Sequence, residues 1–238
     1  MKRTMNRLFS MAAMTLALML LTTASAWALD GGPSLSDYQD IEGSNFVTRQ
    51  QNATALTGSE TSLDGGWYVV NSDMSFNHPI QLLGDVNIIL ADGCTMTMGT
   101  NENRIGTFGI YGSKGGIVSN KGTDYDLRIY GQSEQTGVLD IWGTTNSTSY
   151  ACIKVQDLSI YGGNISLRGC NGISTRGQFD DYVNIYRGTV NITTSNSKGK
   201  GINSYYFRMF GGALNINGSG EEAINSNKFS MSGGTLSV

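Results

Sequence analysis

The sequence predicts an all-β chain that winds as a right-handed parallel β-helix, a solenoid with about three strands per coil. Three observations carry this prediction: a four-residue unit occurs in five copies, each copy is followed by a Gly-containing turn and a second apolar-x-apolar unit, and the composition is that of a many-turned β protein. In 238 residues there are 32 glycines and only 2 prolines, while Ile, Leu, Val and aromatic residues recur at short intervals throughout. That recurrence argues against a disordered chain.

The copies of the first unit are Leu127-Arg-Ile-Tyr130, Leu158-Ser-Ile-Tyr161, Val183-Asn-Ile-Tyr186, Phe207-Arg-Met-Phe210 and Phe229-Ser-Met-Ser232. The second unit reads Leu139/Ile141, Ile165/Leu167, Val190/Ile192, Leu214/Ile216 and Leu236/Val238, and Ile153, Ile173, Ile202 and Ile224 supply a third strand before the next copy. Successive anchors from Leu127 to Phe229 lie 31, 25, 24 and 22 residues apart. A propeller blade needs about 40 to 45 residues and four strands, and a sandwich of hairpins has no coil-length period. With side chains alternating at period two, Leu127 and Ile129 face inward and Arg128 and Tyr130 outward. The anchors Leu127, Leu158, Val183, Phe207 and Phe229 then form one interior column, and Ile129, Ile160, Ile185, Met209 and Met231 form another.

Ahead of the repeats, residues 1–28 read as a signal peptide: Lys2, Arg3 and Arg7 precede an apolar run from Met11 to Leu21, and cleavage is expected after Ala26-Trp27-Ala28 rather than Ala24-Ser25-Ala26. The apolar run is shorter than the roughly 20 residues of a spanning helix, and no Cys follows either site to take a lipid. The expected location is therefore outside the cell, at its surface, or in the periplasm. Residues 29–62 are polar, without sustained period, and read as a flexible leader. The helix is expected over 63–238, opened by a cap at 63–90. Its last strand unit ends at Val238 and leaves an open edge, which reads as a fragment or as an end covered by a partner or further domain.

Gly66-Trp-Tyr-Val-Val-Asn-Ser72, with Gly84-Asp-Val-Asn-Ile-Ile-Leu-Ala-Asp-Gly-Cys-Thr-Met96, resembles the opening of a family of exported bacterial β-helix proteins described as carbohydrate-binding-domain-containing. Leu127-Arg-Ile-Tyr-Gly-Gln-Ser-Glu134 and Ile160-Tyr-Gly-Gly-Asn-Ile165 look like its repeat units, so the resemblance covers roughly residues 64–238. It implies extracellular glycan binding and a kinship of shape with pectate-lyase-like enzymes. No catalytic residue carries over.

Charge narrows the partners. Without Lys2, Arg3 and Arg7 the exported part has 13 basic against 19 acidic residues, a net charge of −6. That balance disfavours nucleic acid and anionic membrane. Cys94, Cys152 and Cys170 are an odd number and read as buried thiols, with one bridge such as Cys152–Cys170 left open. His78 is the sole histidine and stands in an Asn-His-Pro loop, which leaves a nucleophilic triad without its base.

The expected function is non-enzymatic binding of polysaccharide, with no required cofactor. Tyr130, Tyr161, Tyr186 and Phe210 stand at one outward phase, one per coil, where aromatic surface can bury the C–H faces of sugar rings. The same residues equally suit a ladder that only stabilises the coils. Arg128 and Arg208, two residues before Tyr130 and Phe210, share the outward phase and can pair with an acidic sugar. One alternative is a structural or adhesive surface stalk. Another is a calcium-dependent polysaccharide lyase in which Asp180 and Asp181 begin a cation site, with Arg176, Arg187, Lys198 and Lys200 as nearby bases. A calcium site wants about six to eight oxygen ligands, and adjacent strand carboxylates face opposite sides.

Overall fold

A computed structural model describes residues 33–112, 125–175, 180–218 and 220–238. The signal peptide and the first residues of the leader lie outside the described residues, as does Arg176. The described chain is all β, with 21 strands, no helix, and parallel pairing everywhere except between β1 (Pro33–Glu42) and β2 (Asn45–Ala55).

That hairpin corrects the expectation of a flexible leader for residues 33–55. Two features overcome its polar composition. Gly43, at φ 64°, takes the left-handed conformation that a two-residue turn requires, and Tyr38 buries itself against Trp67 and Tyr130.

The remaining strands fall into three ranks. The first holds β4 (Gly66–Val70), β7 (Val86–Leu90), β10 (Leu127–Gly131), β13 (Leu158–Ile160) and β16 (Tyr182–Ile185). The second holds β5 (Met74–Phe76), β8 (Thr95–Met98), β11 (Val138–Trp142), β14 (Asn164–Gly169), β17 (Thr189–Thr194), β19 (Ala213–Gly218) and β21 (Thr235–Ser237). The third holds β3 (Ser62–Leu63), β6 (Ile80–Leu82), β9 (Ile110–Tyr111), β12 (Ala151–Lys154) and β15 (Asn171–Ser174). Two ten-residue strands, β18 (Lys200–Met209) and β20 (Glu222–Met231), serve two ranks at once: Ile202 pairs with Ile173 of β15 and Phe207 with Val183 of β16. The first and third ranks therefore join into one 14-stranded sheet, and the second is a separate sheet of seven.

Register sets like residue on like residue. Leu127 pairs with Leu158, Leu158 with Val183, Val183 with Phe207 and Phe207 with Phe229, in the order the repeat predicts. Ile129, Ile160, Ile185, Met209 and Met231 align in the same way, as do Leu139, Ile165, Val190, Leu214 and Leu236 of the second rank. These columns belong to one core cluster into which all three ranks point. Each buried Ile, Leu or Val contributes roughly 1.5–3 kcal/mol from area removed from water. At the last rung the columns open, with Phe229 50% and Met231 40% exposed.

The turn after the first rank is close-packed on glycine. Gly188 has φ 86°, and a Cβ there would stand 2.4 Å from the carbonyl oxygen of Gly163 one rung below. Gly212 repeats the arrangement at φ 76°, with the carbonyl of Gly188 at 2.6 Å. The Gly turns of the repeat thus record an approach of backbone to backbone that no side chain permits.

Candidate functional site

The outward side of the first rank carries the residues that the repeat picks out. Tyr130, Tyr161, Tyr186 and Phe210 form a continuous stack, with successive ring centroids 4.7 Å apart and interplanar angles of 10°, 13° and 7°. This spacing is the rung spacing of the sheet. Its chemical consequence is that each ring spends its faces on its neighbours. At one end the Phe210 ring is 45% exposed, and at the other Trp67 lies against Tyr130.

Exposure falls along the ladder toward its other end because the hairpin lies over it. Tyr38 of β1 sits 4.8 Å from Trp67 and 4.9 Å edge-on to Tyr130, and Trp67 stacks on Tyr130 at 5.1 Å. Tyr38, Ala53, Val69, Ile89 and Tyr130 form a second apolar cluster separate from the main core. The Gln132 amide donates to the Asp37 carbonyl at 3.0 Å, and near the hairpin tip the Arg187 guanidinium lies over Phe46 at 4.8 Å. Tyr130 is left 5% exposed, and burial, helped by Tyr161 and Asp40, pushes its hydroxyl far above the usual tyrosine range. Tyr130 is thus a core residue of the second cluster, whereas the repeat pattern places it on an open glycan face. The bulk of the β1 strand explains the difference.

Arg128 and Arg208 stand three rungs apart, separated by Ser159 and Asn184, and the structure does not bring them together. Arg128 is held by the Asp126 carboxylate at 2.9 Å. Arg208 lies over Tyr206 at 4.8 Å and Tyr182 at 5.9 Å. Asn184 between them is 5% exposed, and its Oδ1 has no hydrogen-bond partner among the described residues. Beyond Arg208 the face opens into a cleft of about 500 Å3 lined by Tyr206, Arg208, Asn227, Lys228, Phe229 and Ser230. Lys228 completes it, with its ammonium 5.1 Å from the Tyr206 ring and 3.3 Å from the Tyr206 hydroxyl. Tyr206 and Lys228 each stand one residue before an anchor of the repeat, a phase to which the sequence reading assigns no role.

On that phase the earlier rungs carry acids. The Asp85 carboxylate accepts from the Asp126 amide at 3.1 Å, that of Asp126 from the Asp157 amide, and that of Asp157 from the Tyr182 amide at 2.9 Å. Each carboxylate thereby ties one rung to the next. Burial, reinforced by Asp126 and Asp181, pushes Asp157 up to about 6. Asp181 is buried and Asp180 exposed. Among the described residues, no group of three or more His, Cys, Asp or Glu side chains gathers as a cation site. Cys94, Cys152 and Cys170 are free thiols, Cys152 and Cys170 buried as expected and Cys94 only half-buried, and the Cys152–Cys170 bridge that the sequence leaves open is not formed. No helix of the described residues is long and apolar enough to cross a membrane.

A second recess lies on the outer side of the third rank. It measures about 330 Å3 and is lined by residues 148–151, Asn171, Ser174, Lys198, Lys200, Asn203 and Glu221. No repeat phase announces it, because half of its lining comes from loops. No family model, curated protein or solved structure matches this chain.

Proposed function

We propose that the chain is an exported right-handed parallel β-helix that binds polysaccharide without transforming it, in the cleft beside Arg208 on the first-rank face. The observation that carries this reading is the cleft where Arg208 and Lys228 flank Tyr206, with Asn227 and Ser230 beside them. Cations over an aromatic ring, next to an amide and a hydroxyl, offer an acidic sugar a carboxylate partner together with hydrogen-bonding groups. Pairing at every third strand, with aligned interior columns and tight Gly turns, supports the solenoid.

The test is a glycan-array screen of the full chain, with and without calcium, followed by titration of Tyr206→Ala and Arg208→Ala. Both variants are expected to lose affinity for acidic glycans at an unchanged melting temperature, and added salt is expected to weaken the wild type. Tyr161→Ala combined with Tyr186→Ala is expected to lower the melt and spare affinity, since those rings hold rungs together. Retained affinity in both cleft variants would refute the assignment.

A structural stalk is the second reading. The outer side of the second rank favours it, because the aligned positions Thr97, Ser166, Asn191, Asn215 and Ser237 are small or amide side chains and the only charge in that column, Asp140, is paired with Arg168.

A further inference from the structure

The recess on the third rank is built as a site of its own. Loop residues make half of its lining and strand residues the rest, and two asparagines stitch the flanking segments together. The Asn171 amide donates to the carbonyls of Thr148 and Tyr150, both at 2.8 Å, and its Oδ1 accepts from the Lys200 amide at 2.8 Å. Asn171 is 8% exposed, so every polar atom it buries is used in holding the walls at a set distance. Asn196 repeats the device. Its amide donates to the Thr145 carbonyl at 3.3 Å, and its Oδ1 accepts from the Lys198 amide at 3.0 Å.

One ring lines the recess, and it is not part of a stack. Tyr150 meets Phe108 edge-on at 5.0 Å and 79°, and Phe108 is fixed in turn by Tyr111 at 5.6 Å and by the Lys154 ammonium at 4.9 Å. An edge-on neighbour holds the Tyr150 ring without a parallel ring laid across its face, unlike the rings of Tyr161 and Tyr186. Around it the donors and acceptors alternate in kind: Lys198, Lys200 and Asn203 can donate, and Glu221, Ser174 and the Asn203 carbonyl oxygen can accept. The charges nearly balance, since Lys198, Lys200 and Glu221 share the lining and Lys200 is already paired with Glu222 at 2.7 Å. An anion gains little in such a place. A group that is apolar on one side and carries hydroxyls that both donate and accept fits it.

We infer that this recess is a second binding site, distinct from the first-rank cleft, and that it takes one neutral sugar ring stacked on Tyr150 with its hydroxyls shared among Lys198, Asn203 and Glu221. The inference rests on the glycan-binding reading only for the ligand class; the site itself is read from its own geometry. Its volume is at the lower end of small-molecule sites, which suits a single ring rather than a chain segment.

The experiment titrates the full chain with neutral oligosaccharides of glucose, galactose and mannose, and in parallel with oligogalacturonate, each at low and high salt. Neutral binding is expected to be insensitive to salt and to fall about tenfold or more in Tyr150→Ala and in Glu221→Gln. Tyr150→Phe is expected to keep most of the affinity, because it keeps the ring, and Lys198→Ala, at an exposed position, is expected to weaken neutral binding at an unchanged melting temperature, which separates loss of the site from any loss of fold in Tyr150→Ala. Tyr206→Ala and Arg208→Ala are expected to leave neutral binding intact, so failure of the first-rank cleft and failure of this site appear in different columns of the same table. Absence of binding to any of the neutral oligosaccharides, or binding that survives both Tyr150→Ala and Glu221→Gln, would overturn the inference.

Discussion

Ile185 offers the most demanding test of the stacked-column architecture. Its side chain is fully buried, directly between Ile160 on one rung and Met209 on the next. Three substitutions grade the perturbation. Ile185→Val removes one methylene and is expected to cost about 0.5–1.5 kcal/mol, and Ile185→Ala, which leaves a cavity bounded by two rungs that cannot collapse independently, about 2–5 kcal/mol. Ile185→Asp places an unpaired carboxylate in an apolar column at a cost of several kcal/mol, comparable to the roughly 5–15 kcal/mol that holds an ordinary domain folded. Urea denaturation measures the first two, and amide exchange on the strands of Ile160, Ile185 and Met209 measures the third, with protection lost there first. Equal midpoints for the Val and Ala variants, or full protection in Ile185→Asp, would show that the column does not bear on stability and that the register is wrong.

Two further outcomes follow from the outer side of the first rank. Asp157 has a raised pKa in the folded chain, so its protonated form is favoured there: the contribution to stability is present below the unfolded value of about 3.9 and is lost as pH rises through about 6. The rise from about 3.9 to about 6 bounds the effect at about 3 kcal/mol, and solvent screening of a half-buried group reduces it to roughly 1 kcal/mol; urea midpoints should rise from pH 7 to pH 5 in the wild type and rise less in Asp157→Asn, and equal slopes would refute this. Tyr38→Ala should release the β1–β2 hairpin while leaving the interior columns untouched, seen as faster amide exchange across residues 34–54 and a red-shifted Trp67 emission at a nearly constant melting temperature, and unchanged exchange in that segment would show that the hairpin is held by something other than its aromatic anchor.

How much of this could be read from the residues depends on how many times the chain states each demand. The interior columns are stated once per repeat, and an alternation of period two, imposed on a period of about two dozen residues, leaves little freedom in which residue meets which. The aligned anchors from Leu127 to Phe229 and the Tyr130–Phe210 ladder were therefore legible, down to the register. The hairpin is stated once. Its two-residue Gly43-Ser44 turn is a recognised hairpin signal, but its strands lack apolar alternation, because a segment docked on the outside of a sheet by Tyr38, Ala53 and strand pairing to β4 needs little apolar face of its own.

The same distinction governs the candidate sites. Repetition identifies what stacking requires, and a residue repeated on four rungs is satisfied chiefly by its own copies, which is why the tyrosines turned their faces to one another. Residues that break the period face a different environment. Tyr206 and Lys228 replace the aspartates of earlier rungs on one phase, and Tyr150, Lys198 and Glu221 stand in loops that the repeat does not constrain. In a chain whose regular positions are committed to holding rungs together, chemistry available to a ligand concentrates where the repeat fails, and the two clefts described above lie at such places.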